Sequence, residues 1–295
     1  MVLARRSPPT ARVVQILDFL VARPGARFGL SELARHLNLS KPTCLGIVTE
    51  LAAGGYLVRD PEAKTYGLGP ALIAAGRMAQ NNFAASDVAR KHLAELSTRY
   101  NTTCTASAVV GDQIMMLERT GPGFAAVKVG QTYPFAPPVG LMYVLWGPDT
   151  ALEDWLAKPP TLPMTLDEAH LRRVVTECRR RRYLVESLTP TGMRLHSLMA
   201  GLAAYDLPNE VRELVAEMAS SLGERVYLDA DLKPRSKHAV SLIAAPTFDA
   251  DGNQELVLTL YVGRAITGAE IARLGQALVA AADAVTTEVG GRARA

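Results

Sequence analysis

An α+β fold in two domains is what this 295-residue sequence predicts, and three features carry the prediction. Between Leu30 and Leu51, two short apolar stripes with i, i+3, i+4, i+7 spacing are separated by a break that a tight turn would fill. The first quarter of the chain is basic while the rest is slightly acidic. Beyond residue 100 the helical spacing gives way to alternating or continuous apolar runs rich in β-branched residues, the pattern of a central antiparallel sheet. The length itself favours two domains of ordinary size.

The two stripes are Leu30, Leu33, Ala34, Leu37 and then Cys44, Ile47, Val48, Leu51. Asn38-Leu39-Ser40 breaks the first helix. Ser40 is placed to N-cap the second, and Pro42 sits in its first turn, where a missing N–H costs nothing. This is a helix-turn-helix. With the second stripe facing inward, Ser40, Lys41, Pro42, Thr43, Leu45, Gly46 and Thr49 lie at the start or on the outward face of a helix shaped to enter a major groove.

Charge agrees with that reading. Residues 1–80 hold ten Lys+Arg against five Asp+Glu, a net +5, so the remaining residues carry −2 of the overall +3. Phosphate neutralisation needs positive charge only where DNA lies. Three cysteines, Cys44, Cys104 and Cys178, are far apart and form no CxxC, which speaks against a disulfide framework or a zinc knuckle and fits a reducing cytoplasm. No run reaches the ~18 apolar residues of a membrane span, and Met1 to Pro9, with Arg5 and Arg6, reads as a loose basic arm without the apolar core of a signal peptide. No membrane partner is expected.

In chain order, a first helix is predicted from about Thr10, with Val13, Ile16, Leu17, Leu20 and Val21 on one side to complete a three-helix core. Gly54-Gly55 stops the recognition helix. Tyr56 to Arg59, a turn over Asp60 to Lys64, and Thr65 to Leu68 then read as a hairpin, a wing whose Arg59 and Lys64 can meet phosphate or the minor groove.

Residues 10–80 resemble the IclR family of bacterial transcription regulators in order and spacing: ILDFL, then LSELARHLNLSKPT, LAAGGYLVRD and YGLGPALIAAG, of which the run Tyr66 to Gly69 is the most specific. Where the family usually carries an arginine in the recognition helix, this chain has Gly46. The resemblance implies a winged helix-turn-helix at 1–68, a linker helix at 69–85, and a GAF-like effector-binding domain at 86–295. The implied partners are double-stranded operator DNA, a small-molecule effector, and a second copy of the chain in a homodimer or tetramer. No cofactor is implied.

The second domain is expected to begin with a helix capped by Ser86 and running to Tyr100, followed by strands at Thr103 to Val110, Gln113 to Arg119 and Ala125 to Val129. VGQTYPFAPPVGLMYVLWG resembles the family's stretch bordering the effector pocket, with Gly130, Pro134 and Gly140 in place. Helices are predicted at Asp167 to Tyr183 and Pro208 to Leu222, with no family pattern over Leu184 to Leu207. Arg179 to Arg182 reads as a solvated helix end rather than a second nucleic-acid patch. A late strand, turn, strand and a helix capped by Thr267 complete the domain, and Asp249 to Asn253 reads as a hairpin turn, since the glutamate that closes a calcium loop is missing.

Catalysis finds little support. The histidines, His36, His92, His170, His196 and His238, are scattered, without HxxxH, a nucleophile elbow or a phosphate loop, and no catalytic or metal-binding set emerges. A DNA-tethered enzyme acting on a small metabolite stays as the rival reading. The resemblance implies an effector pocket lined by Val129, Pro134, Pro138, Val139, Met142, Leu242, Leu260 and Val262. These are apolar positions, so an apolar or aromatic effector is expected.

Overall fold

The apolar stripes become helices where the spacing places them. In a computed structural model, which describes residues 7–23, 25–81, 84–123, 128–161, 167–188 and 226–293, the chain divides into two units, residues 1–83 and 84–295. Each unit has its own core.

In the first unit, α1 (Pro8–Val21), α2 (Leu30–His36) and α3 (Lys41–Ala53) bury Ile16, Phe19, Leu20, Leu33, Ala34, Cys44, Val48 and Leu51 against one another. Proline in the first turn starts α1 two residues before Thr10. Asn38 adopts a left-handed conformation, φ 52°, which turns the chain between α2 and α3. A two-residue strand that sequence reading missed, β1 (Phe28–Gly29), joins β2 (Leu57–Arg59) and β3 (Thr65–Leu68) in a small antiparallel sheet of order β1-β3-β2. The wing is held at its tip by the Asp60 carboxylate, which accepts the N–H groups of Glu62 and Ala63 at 3.0 Å each. Gly69 is required here, because a Cβ would stand 2.2 Å from the Gly55 carbonyl oxygen. Helix α4 (Ala71–Asn81) ends the unit.

The described residues of the second unit form a six-stranded antiparallel sheet with helices packed on it. Its order is β6-β5-β4-β9-β8-β7, with β4 (Cys104–Val110), β5 (Gln113–Thr120), β6 (Thr132–Pro134), β7 (Leu184–Ser187), β8 (Lys237–Phe248) and β9 (Gln254–Thr267). Strands β4, β9 and β8 at the centre are buried on both faces, and two separate cores result. One lies under α5 (Ala84–Tyr100) and α8 (Gly268–Glu288, N-capped by Thr267), and takes Ala89, Leu93, Ala106, Ile243, Leu258, Leu260 and Leu278. The other lies under the 133–146 segment, α6 (Asp149–Leu156) and α7 (Glu168–Arg181).

Three expectations change. Ser86 does not cap α5; it sits inside the helix and donates to the buried carboxylate of Glu118 at 3.0 Å, which also accepts from Arg90 at 2.9 and 2.7 Å. Charge on a buried acid without these partners would be costly, so the trio fixes α5 on β5. The four-arginine run is not a solvated end. Arg179 donates to the carbonyls of Leu145 and Gly147 at 2.7 and 2.8 Å, Arg180 pairs with Asp229, Arg181 reaches the Tyr227 carbonyl at 2.7 Å, and Arg182 holds Asp283 on α8. Guanidinium forks suit carbonyl and carboxylate pairs, and here they staple α7 to its neighbours. Leu184 to Ser187, in the stretch without a family pattern, forms the edge strand β7. The expected helix at Pro208 to Leu222 and the rest of the 189–225 stretch lie outside the described residues, as do the basic arm through residue 6 and most of the expected strand at Ala125 to Val129. At the β8–β9 turn, the Asp249 carboxylate accepts the N–H groups of Asp251 and Asn253 at 2.9 and 2.8 Å, the hairpin expected there.

Candidate nucleic-acid interface and ligand face

Ser40 begins α3 as its N-cap. Its hydroxyl accepts the Thr43 N–H at 3.2 Å and shares a 2.8 Å hydrogen bond with the Thr43 hydroxyl. Both side chains are thus engaged in shaping the helix, and Thr43 is half-buried rather than outward. Lys41, Pro42, Leu45, Gly46 and Thr49 are exposed, opposite the buried Cys44, Val48 and Leu51. The wing brings Arg59 and Lys64 to the surface, Lys64 in a left-handed conformation at the turn, φ 54°. A basic residue that sequence reading passed over, Arg27, lies along the wing: it donates to the Val58 carbonyl at 3.3 Å and covers Gly67. Only the proximity of β1 to β3 reveals it. Arg35 and Arg77 add exposed positive charge to the same unit.

In the second unit, alternation along the strands decides what the sheet presents. Leu256, Leu258 and Leu260 of β9 belong to the core under α5 and α8, with Val262 packed against it, whereas Val257 and Tyr261 belong to the other. Leu260 and Val262 therefore do not face the 133–146 segment; the period of two puts them on the opposite side from Leu242, Val139 and Met142, which do. Val129 is 54% exposed in a turn and joins neither core. Pro134 lies in the edge strand β6, paired with Gln113, and Pro138 is buried within the segment.

What replaces the two aliphatic residues is polar. On β4, Cys104, Ala106 and Ala108 face the helices, which leaves Thr105 and Ser107 on the other side, fully or almost fully buried with Thr259 of β9 in register with Thr105. Tyr133, Tyr143 and Tyr261 close over them. The Tyr143 hydroxyl meets that of Ser107 at 2.5 Å. Burial pushes the Tyr133 phenol up to about 12, and burial, with neighbouring phenols, raises Tyr143 and Tyr261 further, although Ser107 and Thr105 oppose the shift. Glu186 on β7 also raises Tyr261. All three phenols therefore remain protonated donors at neutral pH. This side of the sheet is therefore lined by hydroxyls and phenols as well as by apolar residues.

A cavity of about 330 Å³ adjoins this cluster, lined by Val109, Phe135, Tyr143, Trp155, Lys158 and Gln254 among others. Tyr143 lines it as well as reaching Ser107. The segment that forms its wall is tied down: the Trp155 indole donates to the Val139 carbonyl at 3.2 Å, Lys158 to that of Phe135 at 3.1 Å, and Gln254 to that of Met142 at 2.8 Å. Gly140, φ 109°, makes the bend into the short 3-10 turn Leu141–Tyr143; a Cβ there would stand 2.7 Å from the Phe135 ring. No group of three or more His, Cys, Asp or Glu suited to a metal ion occurs among the described residues. No described helix is long and apolar enough to cross a membrane.

Fold and sites together define a winged helix-turn-helix unit followed by an α+β unit with a two-sided antiparallel sheet. Residues 9–61 match the IclR helix-turn-helix domain. The HTH-type transcriptional regulator XynR of Escherichia coli K12 is 26% identical over 139 residues, 46% of this chain; the match spans about half, 55%, of that relative's length. Similar solved structures include the IclR of Thermotoga maritima (TM-score 0.64, 20% identity, 95% of this chain and 98% of that one). An IclR regulator from Alicyclobacillus acidocaldarius is comparable (0.62, 21%, 97% and 100%). So is an IclR homologue from Microbacterium hydrocarbonoxydans, solved in complex with 4-hydroxybenzoate (0.62, 19%, 95% and 98%). At these identities the structural likeness establishes the fold.

Proposed function

We propose that this chain is a transcriptional regulator that binds double-stranded operator DNA through α3 and the wing and answers to a small molecule held on the tyrosine-lined face of its second unit. The carrying observation is α3 itself: a Ser40-capped helix, buried on one stripe, whose opposite side is exposed within a domain that matches IclR helix-turn-helix domains. Lys41, Arg59, Lys64 and Arg27 supply phosphate-binding charge around it. Ser40 and Thr43 contribute by fixing the helix start. Selection of bound fragments from genomic DNA with the purified chain tests the reading; binding of all fragments alike would refute it.

For the ligand, Phe135, Tyr143 and Trp155 line the cavity with ring faces beside Lys158 and Gln254, while Tyr133, Tyr261, Thr105, Ser107 and Thr259 are buried hydroxyls of the adjoining sheet face. A small aromatic molecule carrying a carboxylate or hydroxyl satisfies both, because the rings bury its apolar body and the neutral phenols donate to its oxygen. The relative solved with 4-hydroxybenzoate binds a compound of that class. Val139, Met142 and Leu242 pack beneath the same face. Titration with aromatic acids, aliphatic hydrocarbons and short keto acids, followed by tryptophan fluorescence, discriminates the classes, since both tryptophans, Trp146 and Trp155, lie on this side of the sheet.

Self-association fits α4. Ile73 and Met78 are 62% and 66% exposed on a helix that is otherwise Ala, Leu and Gly along much of its length. A second copy of α4 packed along the side that carries Ile73 and Gly76 would cover Ile73 and give the two-fold symmetry that paired half-sites require.

A further inference from the structure

The centre of the outward face of α3 carries none of the side chains that read bases by paired hydrogen bonds. Opposite the buried Cys44, Val48 and Leu51 it presents Pro42, Leu45, Gly46 and Thr49, with Lys41 and Glu50 at its margins. No Arg, Asn or Gln is present in α3, and Lys41, in its first turn, is the one side chain there able to pair with guanine O6 and N7. Leu45 stands out as a large apolar side chain left 47% exposed in mid-helix.

Gly46 is the second observation. Glycine in a helix interior weakens the helix, and the usual excuse, a crowded neighbour, is missing: a Cβ built there meets nothing within 4 Å. Its φ is not left-handed, so no turn requires it either. Packing within the unit gives no reason for a bare position at the centre of the exposed face. Close approach of another surface does.

We infer that α3 lies with its backbone at Gly46 close against the floor of the major groove and reads thymine through apolar contact, Leu45 and the Thr49 methyl packing on C5-methyl groups. The inference rests on the DNA-binding reading above. Thymine is the base that offers a methyl group in the major groove, beside its O4 acceptor, and aliphatic side chains recognise it by removing that methyl from water. The Leu45 side chain reaches out from the turn that Gly46 leaves open, and the Thr49 hydroxyl remains available to O4. Thymine-rich half-sites follow as the preferred class.

The test uses the full chain and a duplex that it selects from a random pool. That duplex is resynthesised with deoxyuridine replacing thymidine at one position at a time, which deletes the methyl and keeps O4. At one or two positions per half-site, affinity should fall about fourfold, the ratio that corresponds to ~0.8 kcal/mol for one buried methyl-sized group. Leu45→Ala should lose the discrimination between thymidine and deoxyuridine at one of those positions. Gly46→Ala should raise the unfolding midpoint of the N-terminal unit, since the Cβ has room, while loosening the selected duplex by more than that fourfold. Equal affinity of the wild-type chain for every deoxyuridine duplex overturns the thymine assignment. Unchanged DNA affinity in a stabilised Gly46→Ala overturns the close approach. If no preferred duplex can be selected at all, the DNA-binding reading falls, and this one with it.

Discussion

Replacing Leu260 by alanine tests which face of β9 is which. Leu260 is 1% exposed among Leu93, Leu258 and Ile271 in the core beneath α5 and α8. Truncation of such a residue costs about 2 to 5 kcal/mol, because the lost transfer energy is compounded by a cavity that rigid neighbours cannot fill. With about 3 kcal/mol lost and a urea dependence of ~2 to 3 kcal/mol per molar for a domain of this size, the unfolding midpoint should fall by about 1 to 1.5 M. Tryptophan emission reports this cleanly, since Trp146 and Trp155 both belong to the second unit and the first has none. Under native conditions Leu260→Ala should keep its response to an aromatic ligand. Tyr261→Phe should do the reverse: it keeps its ring packing, loses about 1 kcal/mol of stability and weakens the ligand that its hydroxyl would contact. Unfolding of Leu260→Ala at the wild-type urea concentration, together with loss of ligand response, would refute the assignment of faces.

Other perturbations probe the remaining elements. Ser40→Ala removes the N-cap of α3 and should cost about 1 kcal/mol, read as a lower calorimetric transition of the N-terminal unit; an unchanged transition would show that the Thr43 N–H finds another acceptor. Gly76→Glu places charge in the exposed small-residue side of α4, where a Cβ meets nothing within 4 Å, so the fold should survive while sedimentation shifts toward monomer. A sedimentation profile identical to wild type would exclude α4 as the association surface. The wing should respond to acid: hydrogen bonds from Ala63 and Glu62 hold the Asp60 carboxyl below its ordinary 3.8. A lowered folded value means that its contribution is complete above pH 3.8 and lost as pH falls through the folded value. The Glu62 and Ala63 amide resonances should move together in that window, and Asp60→Asn should abolish the titration. Resonances that titrate unchanged in the variant would locate the effect elsewhere.

The helix-turn-helix was legible because each of its signals is local. The 3.6-residue stripe, the Ser40 cap, Pro42 in the first turn and the left-handed Asn38 act over a few residues, and the short-range physics is unchanged in the folded unit. The β8–β9 hairpin was legible for the same reason, through the turn chemistry of Asp249. Rules of this kind fail where the partner is distant in sequence. Ser86 looked like a cap until Glu118, thirty-two residues on, claimed its hydroxyl. The four arginines looked solvated because Leu145, Tyr227, Asp229 and Asp283 come from elsewhere.

The ligand face shows the limit most sharply. Leu256 to Val262 reads apolar at nearly every position, as a strand buried on both sides must, and alternation separates the residues into two sets without saying which layer covers either. The sequence by itself determined two units, the helical reader with its basic wing, and the sheet-forming runs, since composition, periodicity and caps are properties of neighbouring residues. Only the tertiary structure decided that Leu260 and Val262 turn to the helices while Tyr261, Thr259, Thr105 and Tyr143 converge, because α5 and α8 on one side and the 133–146 segment on the other are brought to the sheet by contacts across the whole second unit.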